Sequence, residues 1–148
     1  MKHDLRKLQV QDLAIGDWVY DYLEIPQKLS TPMYVEAIYE SGDIYLNFKG
    51  NPADPFETTI KNVRGISMTP DILKHFGFRE TEHDVYELDC KDFKVCVVII
   101  HVEKSNYVRA IVEHKDGGYR FDDNIIFVHQ LQRFVFGFVR QPLILNYQ

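Results

Sequence analysis

The sequence predicts an α+β domain, mainly antiparallel β: an N-terminal lobe that is SH3-like or a curled sheet, a short central helix, and a three-stranded meander covered by a C-terminal helix. Three observations predict it. Short apolar stretches recur between turn residues from 13 to 68, residues 69–77 carry both helix punctuation marks, and residues 93–122 alternate in a pattern their charges support. The whole reads as one compact domain, 1–148, with sub-lobes 1–68 and 69–148.

Residues 17–21 read as a strand leaving the Ile15-Gly16 turn, followed by a loop with Pro26 and Pro32. Residues 33–48 read as a hairpin turning at Ser41-Gly42. With Glu40 opposite Asp43, one face collects Val35, Ala37, Tyr39, Ile44, Leu46 and Phe48. The wetter face carries Tyr34, Ile38 and Tyr45 with Glu36, Glu40, Asp43 and Asn47. A loop at Gly50-Asn51-Pro52-Ala53-Asp54-Pro55 leads to two more short strands, 56–60 and 63–68, which would complete the lobe.

The central helix has Thr69 as N-cap, Pro70 at its first position, Asp71 at the positive end of the dipole and Gly77 at its exit. Ile72, Leu73 and Phe76 form its apolar side.

In the meander, 93–102, 107–114 and 119–122, turns centred on Lys104-Ser105 and Asp116-Gly117 put Val95, Val97, Ile99, His101, Val108, Ala110, Val112, His114, Tyr119 and Phe121 on one face. Glu113 then opposes Arg120 on the other. Cys96, Val98 and Ile100 make the second face of the first strand apolar as well, which predicts a central strand covered on both sides.

Residues 125–138 follow three possible caps, Asp122, Asp123 and Asn124. Phe127, Val128, Leu131, Phe134, Val135 and Phe138 recur at helical spacing, His129, Gln130, Gln132 and Arg133 form the polar side, and Phe136 projects toward it beside Arg133 and Arg140. Gly137 would end the helix, and 143–146 would add an edge strand.

Composition narrows the functional classes. With 148 residues, 45% hydrophobic and 26% charged, the chain can bury a core. Its net charge of −5 is spread evenly, with 9 basic and 12 acidic residues through Glu80 and 8 and 10 after it, so no cluster forms to track a phosphate backbone. Nucleic acid is disfavoured. The N-terminus is charged where a signal peptide is apolar, and the longest apolar run, 95–100, is short of the roughly 20 residues that span a bilayer, so the expectation is a cytosolic protein with no membrane partner. Cys90 and Cys96, placed on one extended strand, would lie about 20 Å apart and stay reduced.

Chemical motifs are sparse. Gly117-Gly118 leads into a strand where a phosphate loop needs a helix, and no nucleophile elbow is present. His101, His114 and His129 with Asp122 or Asp123 are the one set with metal-ligand character, but His101 and His114 fall near opposite ends of the meander. Neither Asp122-Asp123 nor the Glu87, Asp89, Asp92 run forms a shared acid pair, because neighbours on a strand face opposite ways. No catalytic residue, metal or cofactor is expected. Tyr34, Ile38 and Tyr45, together with His129, Arg133 and Phe136, are the candidate binding residues.

Ile15-Gly16-Asp17-Trp18-Val19, then Met68-Thr69-Pro70-Asp71-Ile72-Leu73 with Gly77-Phe78, then Phe127-Val128-His129-Gln130-Leu131-Gln132, resemble in this order a family of small uncharacterised Bacteroidota proteins associated with prophages or mobile elements. The resemblance implies an accessory protein of the bacterial cytosol and brings no catalytic residue with it. Its pattern singles out His129 as the one position that hints at a role, and a side-chain bond fixing the helix against the sheet is the preferred explanation of that residue. The expected function is non-enzymatic binding or assembly, with a protein partner or a homo-oligomer. The rivals are a nucleic-acid accessory module using Lys49, Lys61, Arg64, Arg133 and Arg140 beside Tyr34 and Tyr45, and a small metal-dependent hydrolase using the histidines and Asp122.

Overall fold

An aspartate and a glycine start the first sheet. In the computed structural model, which describes residues 5–23, 27–49, 51, 53–102, 106–140 and 143, Gly16 sits at φ +93° in a turn closed by the Asp17 amide donating to the Ala14 carbonyl. Asp17, 5% exposed, accepts from the Ala14 amide through Oδ2 at 2.8 Å. Strand β1 (Trp18–Leu23) follows, then β2 (Lys28–Leu29), β3 (Met33–Ile38), β4 (Asp43–Asn47), β5 (Phe56–Thr59) and β6 (Val63–Gly65). The chain divides into two compact units between Ile66 and Ser67.

In the first unit the antiparallel order runs β2-β1-β3-β4-β5, with β6 on the other side of β1. β5 and β6 thus lie at opposite sides of the path, yet only the 3-10 turn Ile60–Asn62 separates them. A flat path of four strand spacings would be about 19 Å wide. Three residues of 3-10 helix advance only about 6 Å, so the sheet must curl. Val19, Met33, Val35, Ile44, Leu46 and Val63 fill its inside, while Trp18, also buried, lies on the opposite face beside Tyr34.

The β3–β4 pairing corrects the expected hairpin. Tyr39 donates its amide to Asp43, and Glu40, Ser41 and Gly42 form a three-residue loop with Gly42 at φ +95°. A register shift between Val35 and Ala37 follows: Val35 opposes Leu46, but Ala37 opposes Tyr45 and Ile38 opposes Ile44. Ile38 therefore leaves the face of Tyr34 and Tyr45, and Ala37 joins it. Tyr39 is 53% exposed and Phe48 36%, where a core position was expected for both.

The second unit opens with α1 (Pro70–His75). Thr69 Oγ1 accepts from the Ile72 amide, and at the exit Gly77 (φ +97°) and Phe78 donate to Lys74 and Leu73, the paired bonds of a left-handed glycine cap. The sheet that follows is larger than the expected meander: β7 (Arg79–Glu82), β8 (Val85–Cys90), β9 (Phe93–Ile100), β10 (Tyr107–His114) and β11 (Tyr119–Ile125), each antiparallel to the next. Cys90 and Cys96 lie on adjacent strands, not one, with Cys96 opposite Glu87.

β9 is central, and Val95, Val97 and Ile99 share a fully covered face with Val108, Ala110 and Val112. The β10–β11 register differs by one residue from expectation. Lys115, Asp116 and Gly117 (φ +98°) form another three-residue loop, closed by the His114 amide on the Gly118 carbonyl. Glu113 opposes Tyr119 and Val112 opposes Arg120, so the expected Glu113–Arg120 pair is absent and Tyr119 and Phe121, at 71% and 52% exposure, point away from the core.

Helix α2 (Val128–Val139) covers the inner face with Val128, Leu131, Val135 and Val139. Asp122, Asp123 and Asn124 belong to β11 and cap nothing. Gln130 does this work from inside the helix, its Oε1 accepting from the amides of Ile126 and Phe127 at 2.8 and 2.9 Å. Gly137 lies within the helix, and Arg140, at φ +63°, follows its end. Of the expected strand at 143–146 only Leu143 is described; its carbonyl accepts from Gln132.

Gly117 and Gly118 provide a paired test. A Cβ meets nothing within 4 Å at either position, but only Gly117 has a positive φ. Gly117→Ala is expected to lower unfolding free energy by about 1 kcal/mol and Gly118→Ala by much less, measured by urea titration.

Candidate functional site

The face of the second sheet opposite α2 divides into two halves. On the β7–β8 side, Arg79 lies 3.4 Å from both Glu87 and Asp89, and Lys94 Nζ lies 3.2 Å from Glu87. Toward β11 the pairing brings Cys96, Ile111 and Phe121 into one row, with Val98 opposite Arg109 and Ile100 opposite Tyr107 beside it. Cys96, Val98, Ile100, Tyr107 and Ile111 are half-buried and Phe121 is exposed, so β9 is not covered on both sides as its sequence predicts. Val102, Tyr107, Arg109, Asp123 and Ile126 bound an open cleft of about 510 Å³ at one end.

This face is poor in reactive groups. Burial, reinforced by Glu87, pushes the Cys96 thiol up, and burial with Asp89 does the same at Cys90. Both thiols are protonated near neutral pH and are weak nucleophiles. The histidines are held apart in separate roles. His101 Nε2 lies 2.8 Å from Asp84 Oδ2 and its Nδ1 3.2 Å from Asn106, whereas His114, at the opposite end of β10, meets the Phe93 ring edge-on and accepts from the Asp116 amide. His129 is buried and stacks on Phe127, centroids 5.6 Å apart, which places it in the core and not on the polar side of α2. Gln132 is likewise buried. Among the described residues no three His, Cys, Asp or Glu side chains are grouped to hold a metal ion.

The remaining candidates separate. Tyr34 packs edge-on against Trp18 and donates to Glu36 at 2.9 Å, an acceptor that Asn47 shares. That hydrogen bond, with burial and the Glu36 charge, raises its pKa. Tyr45 meets the exposed Tyr39 ring at 5.6 Å. Arg133 is exposed on α2 and bounds a cleft with Arg120, Asp122 and Gln130, while Phe136, 47% exposed, stands one turn further on. Tyr34 and Tyr45 thus belong to the first unit and His129, Arg133 and Phe136 to the second. Of the basic set, Arg64 is buried, bonded to the carbonyls of Lys61 and Val63 and lying over the Tyr22 ring, so it cannot serve an exposed phosphate track.

Sequence reasoning missed Tyr119 and Phe121 as exposed residues. The signal was present: a glycine after two polar residues between strands allows a three-residue loop, which turns both aromatics outward. Comparison with known proteins finds no matching family model, no similar curated protein and no similar solved structure.

Tyr86 offers a test of the sheet that carries this face. It is fully buried and donates to Glu80 Oε2 at 2.8 Å. Burial first, then that bond and the nearby acids, push its pKa up to about 12. Because the folded state holds the proton more tightly than the unfolded chain, the stabilisation is full below pH 10 and is lost as pH rises from 10 to about 12. Tyr86→Phe is expected to cost about 1 kcal/mol at neutral pH and to flatten this alkaline decline, measured by thermal unfolding across the range.

Proposed function

We propose that this chain is a non-enzymatic binding or assembly protein that acts through protein–protein contacts on the open face of its second sheet. The observation that carries this reading is the row Cys96, Ile111 and Phe121, flanked by Val98, Ile100 and Tyr107, which keeps apolar surface accessible beside a lattice of ion pairs. An apolar patch with a charged rim is what a protein surface covers, because burial is favourable at its centre and the rim fixes orientation. The short 3-10 turn joining β5 to β6 supports reading the first unit as SH3-like. The setting, an accessory protein of a phage or mobile element in the bacterial cytosol, is supported by the sequence resemblance alone.

A photo-crosslinking residue placed at Ile111, and separately at Thr81 on the charged edge strand β7, tests this in cells expressing the full chain. Protein adducts at Ile111 that Val98→Lys abolishes, with none at Thr81, are expected. Equal labelling at the two positions, or no adduct at Ile111, overturns the reading.

A further inference from the structure

The two edges of the second sheet differ. β7 reads Arg79-Glu80-Thr81-Glu82, every residue exposed and three of four charged, which discourages another strand from pairing there. β11 reads Tyr119-Arg120-Phe121-Asp122-Asp123-Asn124-Ile125, and no described residue pairs with its outer side. The bond from the His114 amide to the Gly118 carbonyl fixes which residues use that side. In an antiparallel ladder, backbone groups alternate in direction, so Gly118, Arg120 and Asp122 aim theirs at β10 while Tyr119 and Phe121 aim theirs at the open edge.

We propose that β11 pairs antiparallel with β11 of a second copy of this chain, about a two-fold axis through Phe121, joining two five-stranded sheets. The inference rests on the binding reading above and names the partner. Parity and charge select this register. Backbone bonds require the outward-directed residues to face each other, which leaves registers that differ by two residues. Moving the axis to Arg120 sets arginine against arginine, and moving it to Asp122 sets aspartate against aspartate. With the axis at Phe121, Arg120 opposes Asp122 of the second copy, and symmetry repeats the pair. No described residue forms an ion pair with either side chain within the chain; Asp122 Oδ1 accepts from the Asn124 amide at 2.9 Å, which leaves its Oδ2 for this contact. The two exposed Phe121 rings meet at the axis, and the apolar row Cys96, Ile111, Phe121 continues into its counterpart. Pairing stops at the register shift between Ala110 and Val108, where β11 bends at Asp123 and Asn124.

So short an interface belongs with the weak, transient class of contacts. The test is sedimentation velocity of the full chain from low to high micromolar concentration, with circular dichroism to confirm folding. The unaltered chain is expected to dimerise. Arg120→Glu or Asp122→Arg alone, each turning two attractive pairs repulsive, should weaken the dimer by about tenfold or more, and the double exchange should restore it to within about threefold. A chain that stays monomeric throughout, or a dimer indifferent to all three variants, overturns the proposal. A monomer that still yields Ile111 adducts with a different protein sinks the dimer and spares the binding reading. A monomer with no adduct sinks both.

Discussion

Two three-residue loops, each closed by a glycine with positive φ, set the faces on which this protein's aromatic residues fall. Glu40-Ser41-Gly42 and Lys115-Asp116-Gly117 have the same form: a tight turn, then a left-handed residue that returns the chain to the ladder. A side chain alternates with period two along a strand, so the difference between a two-residue and a three-residue loop reverses every residue after it. Tyr119 and Phe121 are exposed for this reason, and Tyr39 is exposed because the first loop is joined to the register shift between Val35 and Ala37. A β-branched or bulky residue in place of either glycine would have to adopt a strained backbone, and the sequence avoids that conflict.

The same arithmetic explains what was legible. The β9–β10 turn was also misplaced, but by two residues, with Ile100 opposite Tyr107. An error of two preserves parity, so the covered face of Val95, Val97, Ile99, Val108, Ala110 and Val112 was read correctly from alternation alone. Helix α1 was legible because its signals are local: a hydroxyl before Pro70 and a glycine after Phe76 act within one turn of chain. β7 was illegible because an edge strand of four exposed residues buries nothing and leaves no hydrophobic period. The start of α2 was misread because aspartate and asparagine serve bulges as well as caps; Asp122 accepts from the Asn124 amide inside β11. Among the candidate binding residues, Phe136 and Arg133 were legible as exposed from helical spacing. His129 was not, since a histidine stacked on Phe127 satisfies the core through a ring contact that polarity scales do not register.

The distribution of charge across the second sheet follows from these placements. Arg79, Glu87, Asp89 and Lys94 interlock on the outward face, so that part of it is solvated without cost to the core. Exposed ion pairs of this kind contribute little stability, about 0–1 kcal/mol each, but they keep strands from pairing with the wrong neighbour. On the opposite half the charged outward side chains of β10 are Arg109 and Glu113, alternating with Tyr107 and Ile111, and its rows run from aliphatic to aromatic.

Energetic scale decides which half a partner would seek. Fully burying a phenylalanine side chain gains about 1.5–3 kcal/mol, and Phe121, at 52% exposure, leaves a substantial part of that unrealised. Tyr119, Ile111 and Val98 add further uncovered surface, whereas on the β7 half Arg79, Glu87, Asp89 and Lys94 already pair with one another. Desolvating those pairs would cost more than it returns. The gain from covering the sheet is therefore concentrated around β11, where strand direction, side-chain parity and the alternation of Arg120 with Asp122 also limit how a second strand can align. Affinity would come from the apolar row and register from the charges, a division of labour that the reversed alternation after Gly117 makes possible.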